Sequence, residues 1–280
     1  MRSLEGRVAV ITGAGRGLGR EHALLFAAEG AKVVVNDLGD AAEAVAEEIR
    51  AGGGTALSSN HDITAWDGGE ALIDLAVTEL GGLDVLVNNA GILRDRMLVS
   101  MSEAEWDEVI DVHLKGHFVP TRFAAAHWRE QAKAGHEVRA SIIHTSSTSG
   151  LLGNPGQTNY GAAKAGIGAF SIICAQELAR YGVRSNCIAP AARTRLTEAT
   201  PGLGEVVAAP AEGFDVWDPA NVSPLVAYLA TADCPITCRT FFVQGGTVRM
   251  LEPWHLGDRL ERPERWTIEE LAKELPGLAG

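Results

Sequence analysis

Tyr160 and Lys164 stand four residues apart in Tyr160-Gly161-Ala162-Ala163-Lys164, so on a helix they share one face, one turn apart. A free phenol titrates near pH ~10, too high for a base at neutral pH, and a fixed ammonium nearby favours the phenolate. The pair is a candidate for proton transfer. Ser147 lies thirteen residues before Tyr160, just past the run Ser141-Ile142-Ile143-His144-Thr145. A serine at a strand end can meet a tyrosine on the following helix. Any amphipathic helix can carry Tyr-x-x-x-Lys, so its meaning depends on the elements that position it.

The first of these is Val8-Ala9-Val10-Ile11, a short β-branched run of the kind buried in parallel sheets. It leads into Thr12-Gly13-Ala14-Gly15-Arg16-Gly17-Leu18-Gly19. Gly13, Gly17 and Gly19 permit a sharp turn and close approach of a ligand, and the helix predicted through about Gly30 aims its first amides at a phosphate. The next strand, Lys32 to Asn36, is closed by Asp37. A carboxylate there can accept both ribose hydroxyls and repel a 2′-phosphate, which predicts NAD rather than NADP. Arg16 argues the other way, but no arginine follows Asp37.

Farther on, Asp62-Ile63-Thr64 closes a weak strand. Asp62 could bond an adenine amino group or cap the helix predicted through Leu80, and Ile63 is grouped with it in the cofactor site. Leu83 to Val87 is another strand, with Asn88-Asn89-Ala90-Gly91 at its carboxyl end, the edge where doubly wound sheets bind ligands. Ser102 and Glu105 form a capping box for a long helix with a stripe of Trp106, Val109, Ile110, Leu114 and Phe118. His113 lies on that stripe, and Pro120 is expected to kink or split the helix. Val183 to Ala189 is a strand stopped by Pro190, Phe241-Phe242-Val243 is the last strand, and residues 191 to 217 read as a substrate-covering lid.

A chain of 280 residues with 46% apolar and 21% charged residues fits one large domain. A net charge of −12 speaks against nucleic acid as partner, and no apolar run is long enough to span a membrane. The first residues lack the apolar core of a secretory signal, which predicts a cytoplasmic protein. Four scattered cysteines read as free thiols. Neither Cys234-x-x-x-Cys238 nor the pair His113 and His117 has the further ligands of a metal site, so no metal is expected.

Thr12-Gly-x-x-x-Gly-x-Gly19, Asn88-Asn-Ala-Gly91, Ser147, Tyr160-x-x-x-Lys164 and Asn186-x-Ile-x-Pro190 together resemble the short-chain dehydrogenase/reductase family over roughly residues 5 to 250. The resemblance implies a single α/β Rossmann-type domain with a parallel sheet of about seven strands, helices on both faces, and a homotetramer or homodimer. Residues 251–280 would be a C-terminal extension. It implies Tyr160 as general acid/base, and Lys164 as the ligand of the nicotinamide ribose that lowers the phenol's pKa, helped by the positive nicotinamide. Ser147 would bond the substrate oxygen, Ile188 the carboxamide through its backbone, and Thr194 the carboxamide or diphosphate. His113 stands where the family usually has an asparagine that holds a water in a proton relay. It could hold that water, or be a buried histidine satisfied by a carbonyl. Ala191 and Cys238 replace usual glycines.

The runs Asn88 to Arg96, Val112 to Gly116 and Ile188 to Arg195, with Asn36-Asp37-Leu38-Gly39, look like the (3R)-hydroxyacyl-CoA dehydrogenase unit of peroxisomal multifunctional enzymes, which is similar in using NAD. The expected activity is NAD-dependent interconversion of a secondary alcohol and a ketone, with a 3-hydroxyacyl thioester as one substrate class. The alternatives are a hydroxysteroid or other bulky alcohol, an NADPH-dependent ketoreductase, and a catalytically silent nucleotide sensor. The tail carries Trp254, Arg259, Arg262, Arg265 and Trp266, for which CoA binding competes with packing or simple solvation.

Overall fold

Short apolar strands alternate with helices from the start of the chain: β1 (Val8–Thr12), α1 (Gly17–Ala28), β2 (Lys32–Asn36), α2 (Ala41–Ala51), β3 (Thr55–Ser59), α3 (Trp66–Leu80) and β4 (Val85–Asn88). There follow α4 (Glu103–Ile110), α5 (Gly116–Lys133), β5 (Ala140–Thr145), a short α6 (Thr148–Leu152), α7 (Thr158–Leu178) and β6 (Val183–Pro190). The chain closes with α8 (Ser223–Ala230), β7 (Thr240–Gln244), β8 (Thr247–Leu251) and α9 (Ile268–Leu278). This computed structural model describes residues 2–194, 197, 204–252 and 255–278.

The strands form one sheet in the order β3-β2-β1-β4-β5-β6-β7-β8, parallel from β3 through β7. The mostly apolar runs of β1 and β4 are buried throughout, as expected of strands covered on both faces. Phe26 of α1, Val45 of α2 and Val226 of α8 pack with Ile11 and Val35 on one face. On the other, Leu72 of α3 and Trp128 of α5 pack with Val10, Leu86 and Ile142, and Trp128 Nε1 donates to the Leu83 carbonyl at 2.6 Å. The order reverses between β1 and β4, which opens a crevice at their carboxyl ends.

Three sequence expectations are corrected. The sheet has an eighth strand, β8, antiparallel to β7 across the Gly245-Gly246 hairpin, because two residues suffice to return an antiparallel strand. Pro120 neither kinks nor ends a helix, since it lies within the first turns of α5. The irregularity comes earlier, in a π-helical turn over Asp111–Lys115. Pro120 cannot donate to the carbonyl four residues back, which is that of Gly116, where the π turn hands over to α5. The predicted stripe is also broken: Val109 is buried, whereas Trp106 and, past the turn, Phe118 are exposed.

Candidate active site

The loop from β1 to α1 is shaped by what its glycines lack. A Cβ at Gly13 would lie 2.6 Å from Ala90 Cα, and one at Gly19 would lie 2.2 Å from the Gly13 carbonyl, so only glycine fits. Gly17 adopts a positive φ of 51°, accessible to glycine at little cost. Helix α1 then starts with no side-chain cap and no acidic residue in its first turn, and its free amides suit an anion. Leu18 packs against the core beneath, and Arg16 is exposed. Thr194 closes the far side, its Cγ2 standing 3.7 Å from a Cβ built on Gly17. These residues fit the diphosphate of a nicotinamide dinucleotide.

Asp37 closes β2 beside this loop, where its Oδ2 accepts from the Gly15 amide at 2.9 Å and its Oδ1 from Leu38 at 2.8 Å. Asp62 is exposed and its Oδ1 accepts from the Thr64 amide and hydroxyl, both at 2.8 Å. It does not cap α3, which begins four residues later without a side-chain cap; Ile63 is buried beside it. Asn89 and Ala90 are tied to the glycine loop by Thr12, whose Oγ1 accepts from their amides at 3.0 and 3.2 Å. Asn89 Nδ2 donates to the carbonyls of Thr12 and Gly13 at 3.1 and 3.2 Å. Thr12 was visible in the glycine pattern, but its role as the clamp between β1 and β4 is a tertiary fact. Ile188, expected to meet a carboxamide through its backbone, has its carbonyl accepting from the Ser146 amide at 2.7 Å.

Ser147 leaves β5, caps α6 by accepting from the Ser149 amide at 3.1 Å, and acts on the Tyr160 phenol by drawing its pKa down. Lys164, one turn below, is buried. Its Nζ donates to the Thr145 carbonyl at 2.6 Å and sits 5.4 Å from the centre of the Tyr160 ring. Burial pushes the phenol up to about 12, with Ser147 pulling it back and the Asp95 carboxylate adding to the rise. The same burial brings Lys164 down to about 7. Desolvation sets the direction of both shifts, and Lys164 Nζ is turned to the Thr145 carbonyl.

Asn159, fully buried, escaped the sequence reading. Its Nδ2 donates to the carbonyls of Arg94 and Glu105, both at 3.0 Å, and its Oδ1 accepts from the Tyr160 amide at 2.7 Å, so it locks the tyrosine helix to the loop after β4.

His113 sits in the π turn, buried, with its ring edge-on to Tyr160 at 5.1 Å between centroids. Its Nε2 contacts the Ile92 carbonyl at 2.7 Å and amide at 3.0 Å, while Nδ1 has no partner. The backbone-anchored reading is thus what the geometry shows, with one nitrogen left over. Gly91 is the residue that admits the ring, since a Cβ there would meet His113 Cε1 at 2.4 Å. Burial and the Lys164 charge hold His113 well below the usual histidine range, so it stays neutral.

Within the stretch 191–217, expected to be a lid, Arg193 pairs with Asp215 and donates to the Val207 carbonyl at 2.9 Å. In the tail, Arg262 pairs with Glu270 and stacks on Trp266, which favours packing over ligand binding for that arginine; Trp254 and Arg195 lie outside the described residues. Asn186 holds the loop before β7 by donating to the Ile236 carbonyl at 2.8 Å and accepting from the Arg239 amide. Among the described residues no three His, Cys, Asp or Glu side chains are grouped to hold a metal, and no helix is long and apolar enough to cross a membrane.

The family model described as short chain dehydrogenase matches residues 7–203. A hydroxyacyl-CoA dehydrogenase, ChsB1, of Mycobacterium tuberculosis is 45% identical over 97% of this chain and 88% of its own. The peroxisomal multifunctional enzyme type 2 of Drosophila melanogaster is 45% identical over 82% of this chain but only 37% of its own length. The crystal structure of a short chain dehydrogenase from Mycobacterium avium superposes with a TM-score of 0.90 at 47% identity, covering 99% of this chain and 95% of that one. With the glycine loop, Ser147, Tyr160 and Lys164 gathered at one sheet edge, the chain belongs to the short-chain dehydrogenase family and is an oxidoreductase acting on CH–OH groups.

Proposed function

We propose that this enzyme uses NAD to oxidise a (3R)-3-hydroxyacyl-CoA to the 3-oxoacyl thioester, reversibly. The observation that carries the chemistry is buried Lys164 one helical turn from Tyr160, its Nζ 5.4 Å from the centre of the phenol ring, beside an uncapped helix N-terminus. The thioester rests on the activity of a relative, a hydroxyacyl-CoA dehydrogenase, that matches most of both chains.

In this reading Ser147 donates to the substrate oxygen and orients it, and the phenolate of Tyr160 takes the hydroxyl proton. Bound NAD supplies the hydride acceptor. Lys164 would bind its ribose through Nζ, exchanging the Thr145 carbonyl for ribose hydroxyls. Asp37 would hold the adenosine ribose, Asp62 and Ile63 the adenine, and Gly13, Arg16, Gly17, Leu18 and Gly19 the diphosphate with Thr194. Asn89, Ala90 and Gly91 would line the floor beneath the nicotinamide ribose. His113 would hold a water at its free Nδ1 rather than carry charge. A phenol at about 12 must come down several units to act near neutrality, and a positive charge brought over it would do this.

The exposed Trp66 and Phe118, with Ile173 of α7 half-exposed, support assembly as a homotetramer. The free, mostly buried cysteines support a reducing, cytoplasmic setting. The deciding experiment follows nicotinamide absorbance with NAD or NADP and a panel of (3R)-hydroxyacyl-CoAs, hydroxysteroids and simple secondary alcohols. Turnover of the acyl-CoA with NAD supports the proposal. Turnover only of other alcohols removes the thioester, and preference for NADP removes the role given to Asp37 in favour of the exposed Arg16.

A further inference from the structure

Behind Lys164 the protein buries more polar groups than the chemistry above uses. His117 follows His113 by four residues, and its ring stacks on His144 with centroids 5.6 Å and planes 23° apart. His144 stands opposite Asn88 across the β4–β5 pair. Asn88 Nδ2 lies 3.3 Å from His144 Nδ1 and donates to Thr121 Oγ1 at 2.9 Å. His113, His117, His144 and Asn88 are each no more than 1% exposed.

Five of their atoms have no well-formed hydrogen bond: His113 Nδ1, both ring nitrogens of His117, His144 Nε2 and Asn88 Oδ1. Folded proteins pair such atoms or give them ordered water. Neighbouring positions on the same elements, Val119, Leu86 and Ile142, are apolar and close-packed, so a core needing only volume would not carry imidazoles here. His113 packs edge-on to Tyr160 and His117 stacks on His144, and the Lys164 charge acts on both His113 and His117.

We propose that His113, His117, His144 and Asn88 enclose internal water, and that the His117–His144 pair receives through it the proton released by the substrate alcohol. The alcohol O–H bond breaks toward Tyr160, and a proton passes by way of Lys164 and water to an imidazole nitrogen, giving an imidazolium. The C–H bond breaks with its electron pair, as hydride, toward the nicotinamide, so charge and atoms balance. The imidazolium returns its proton to solvent before the next cycle. Burial keeps both rings neutral beforehand, so they can accept but hold the proton only briefly. The groups facing them are Lys164 and the Phe170 ring from α7, His113 from the preceding turn, and Asn88 from β4. No carboxylate is among the charges acting on either ring. Both histidines act through Tyr160 and Lys164 and are positioning residues.

The test uses His117→Gln, His144→Gln and the double variant, because glutamine keeps hydrogen bonding and cannot carry the proton. The rapid phase of nicotinamide reduction is followed in H2O and D2O on either side of neutral pH, with any alcohol the parent turns over. Expected is a slowing of about tenfold in the double variant, a larger solvent isotope effect, and unchanged NAD affinity. Rates and isotope effects that superimpose on the parent's would overturn the proposal. A high-resolution crystal structure of the parent gives a second readout that needs no variant to fold. An ordered water bonded to at least two of the five atoms is expected, and a dry, closed cluster overturns it. The inference rests on alcohol oxidation and not on the thioester, so loss of the thioester assignment leaves it standing.

Discussion

The two halves of the site are built by opposite means. Around the glycine loop the backbone makes the surface, with no room for a Cβ at Gly13 or Gly19. Around Tyr160 the surface is made by side chains, several of them buried polar groups that an apolar core would exclude. In the first region adding an atom does the damage, and in the second removing one does. Binding a long anionic cofactor needs many weak, fixed donors, which amides supply. Moving one proton needs a few groups of tuned affinity, which only side chains supply.

Deleting one oxygen should have the largest effect. Tyr160→Phe is expected to lower kcat by about a thousandfold or more, with NAD affinity changed little in a fluorescence titration. Retained turnover would remove Tyr160 from the chemistry. The converse change, Gly19→Ala, should weaken NAD binding by about a hundredfold through its clash with the Gly13 carbonyl. Its kcat at saturating NAD should stay within a few-fold of the parent, and an unchanged Kd would mean that the loop is not the cofactor cradle. Asp37→Ala, a side-chain change within the backbone-built half, should shift the NAD to NADP ratio of kcat/KM about tenfold toward NADP.

Acid should find the buried histidines of both halves first. His22 and His144 are buried and held near 3, against 6.5 when free. The unfolded chain binds protons that the native one refuses, so stability falls as pH drops from about 6.5 toward 3, by about 2 kcal/mol per histidine at pH ~5. Urea titrations at several pH values would show this, and His22→Gln should flatten the slope. A slope unchanged in that variant would contradict the buried, neutral histidine. The smallest effect lies away from both halves. Cys238 adopts a φ of 61°, a left-handed conformation costly to any residue with a Cβ, and Cys238→Gly should raise stability by about 1 kcal/mol and Tm by about 2 °C. A lower Tm would show that the thiol's packing outweighs the backbone strain.

The backbone-built half was legible in the sequence because its signals are local. Glycine spacing, a β-branched strand and a following helix suffice to place Gly13, Gly17, Gly19 and Asp37. The side-chain half was legible only along one helix and its preceding loop. Ser147, Tyr160 and Lys164 lie within eighteen residues of one another, whereas Asn88, His117 and His144 come from β4, α5 and β5 and meet only through sheet register. Nothing in the spacing of Asn159 announces that it bonds two carbonyls of distant segments. Strand β8 was missed because its alternation, Thr247-Val248-Arg249-Met250, spans only four mostly exposed residues, too short a pattern to stand out. The π turn was missed because Pro120 is a conspicuous breaker and the true irregularity contains no proline.

That π turn also acts as a phase adjuster. A regular helix advances about 100° per residue, so one surplus residue would rotate everything after it away from its partner. Absorbing the surplus within Asp111–Lys115 lets α4 keep its contact with α7 and α5 its contact with α3, while the bulge itself carries His113 toward Tyr160. The helix thus serves two packing surfaces with different angular settings, and the residue at the chemistry is the one held at the seam between them.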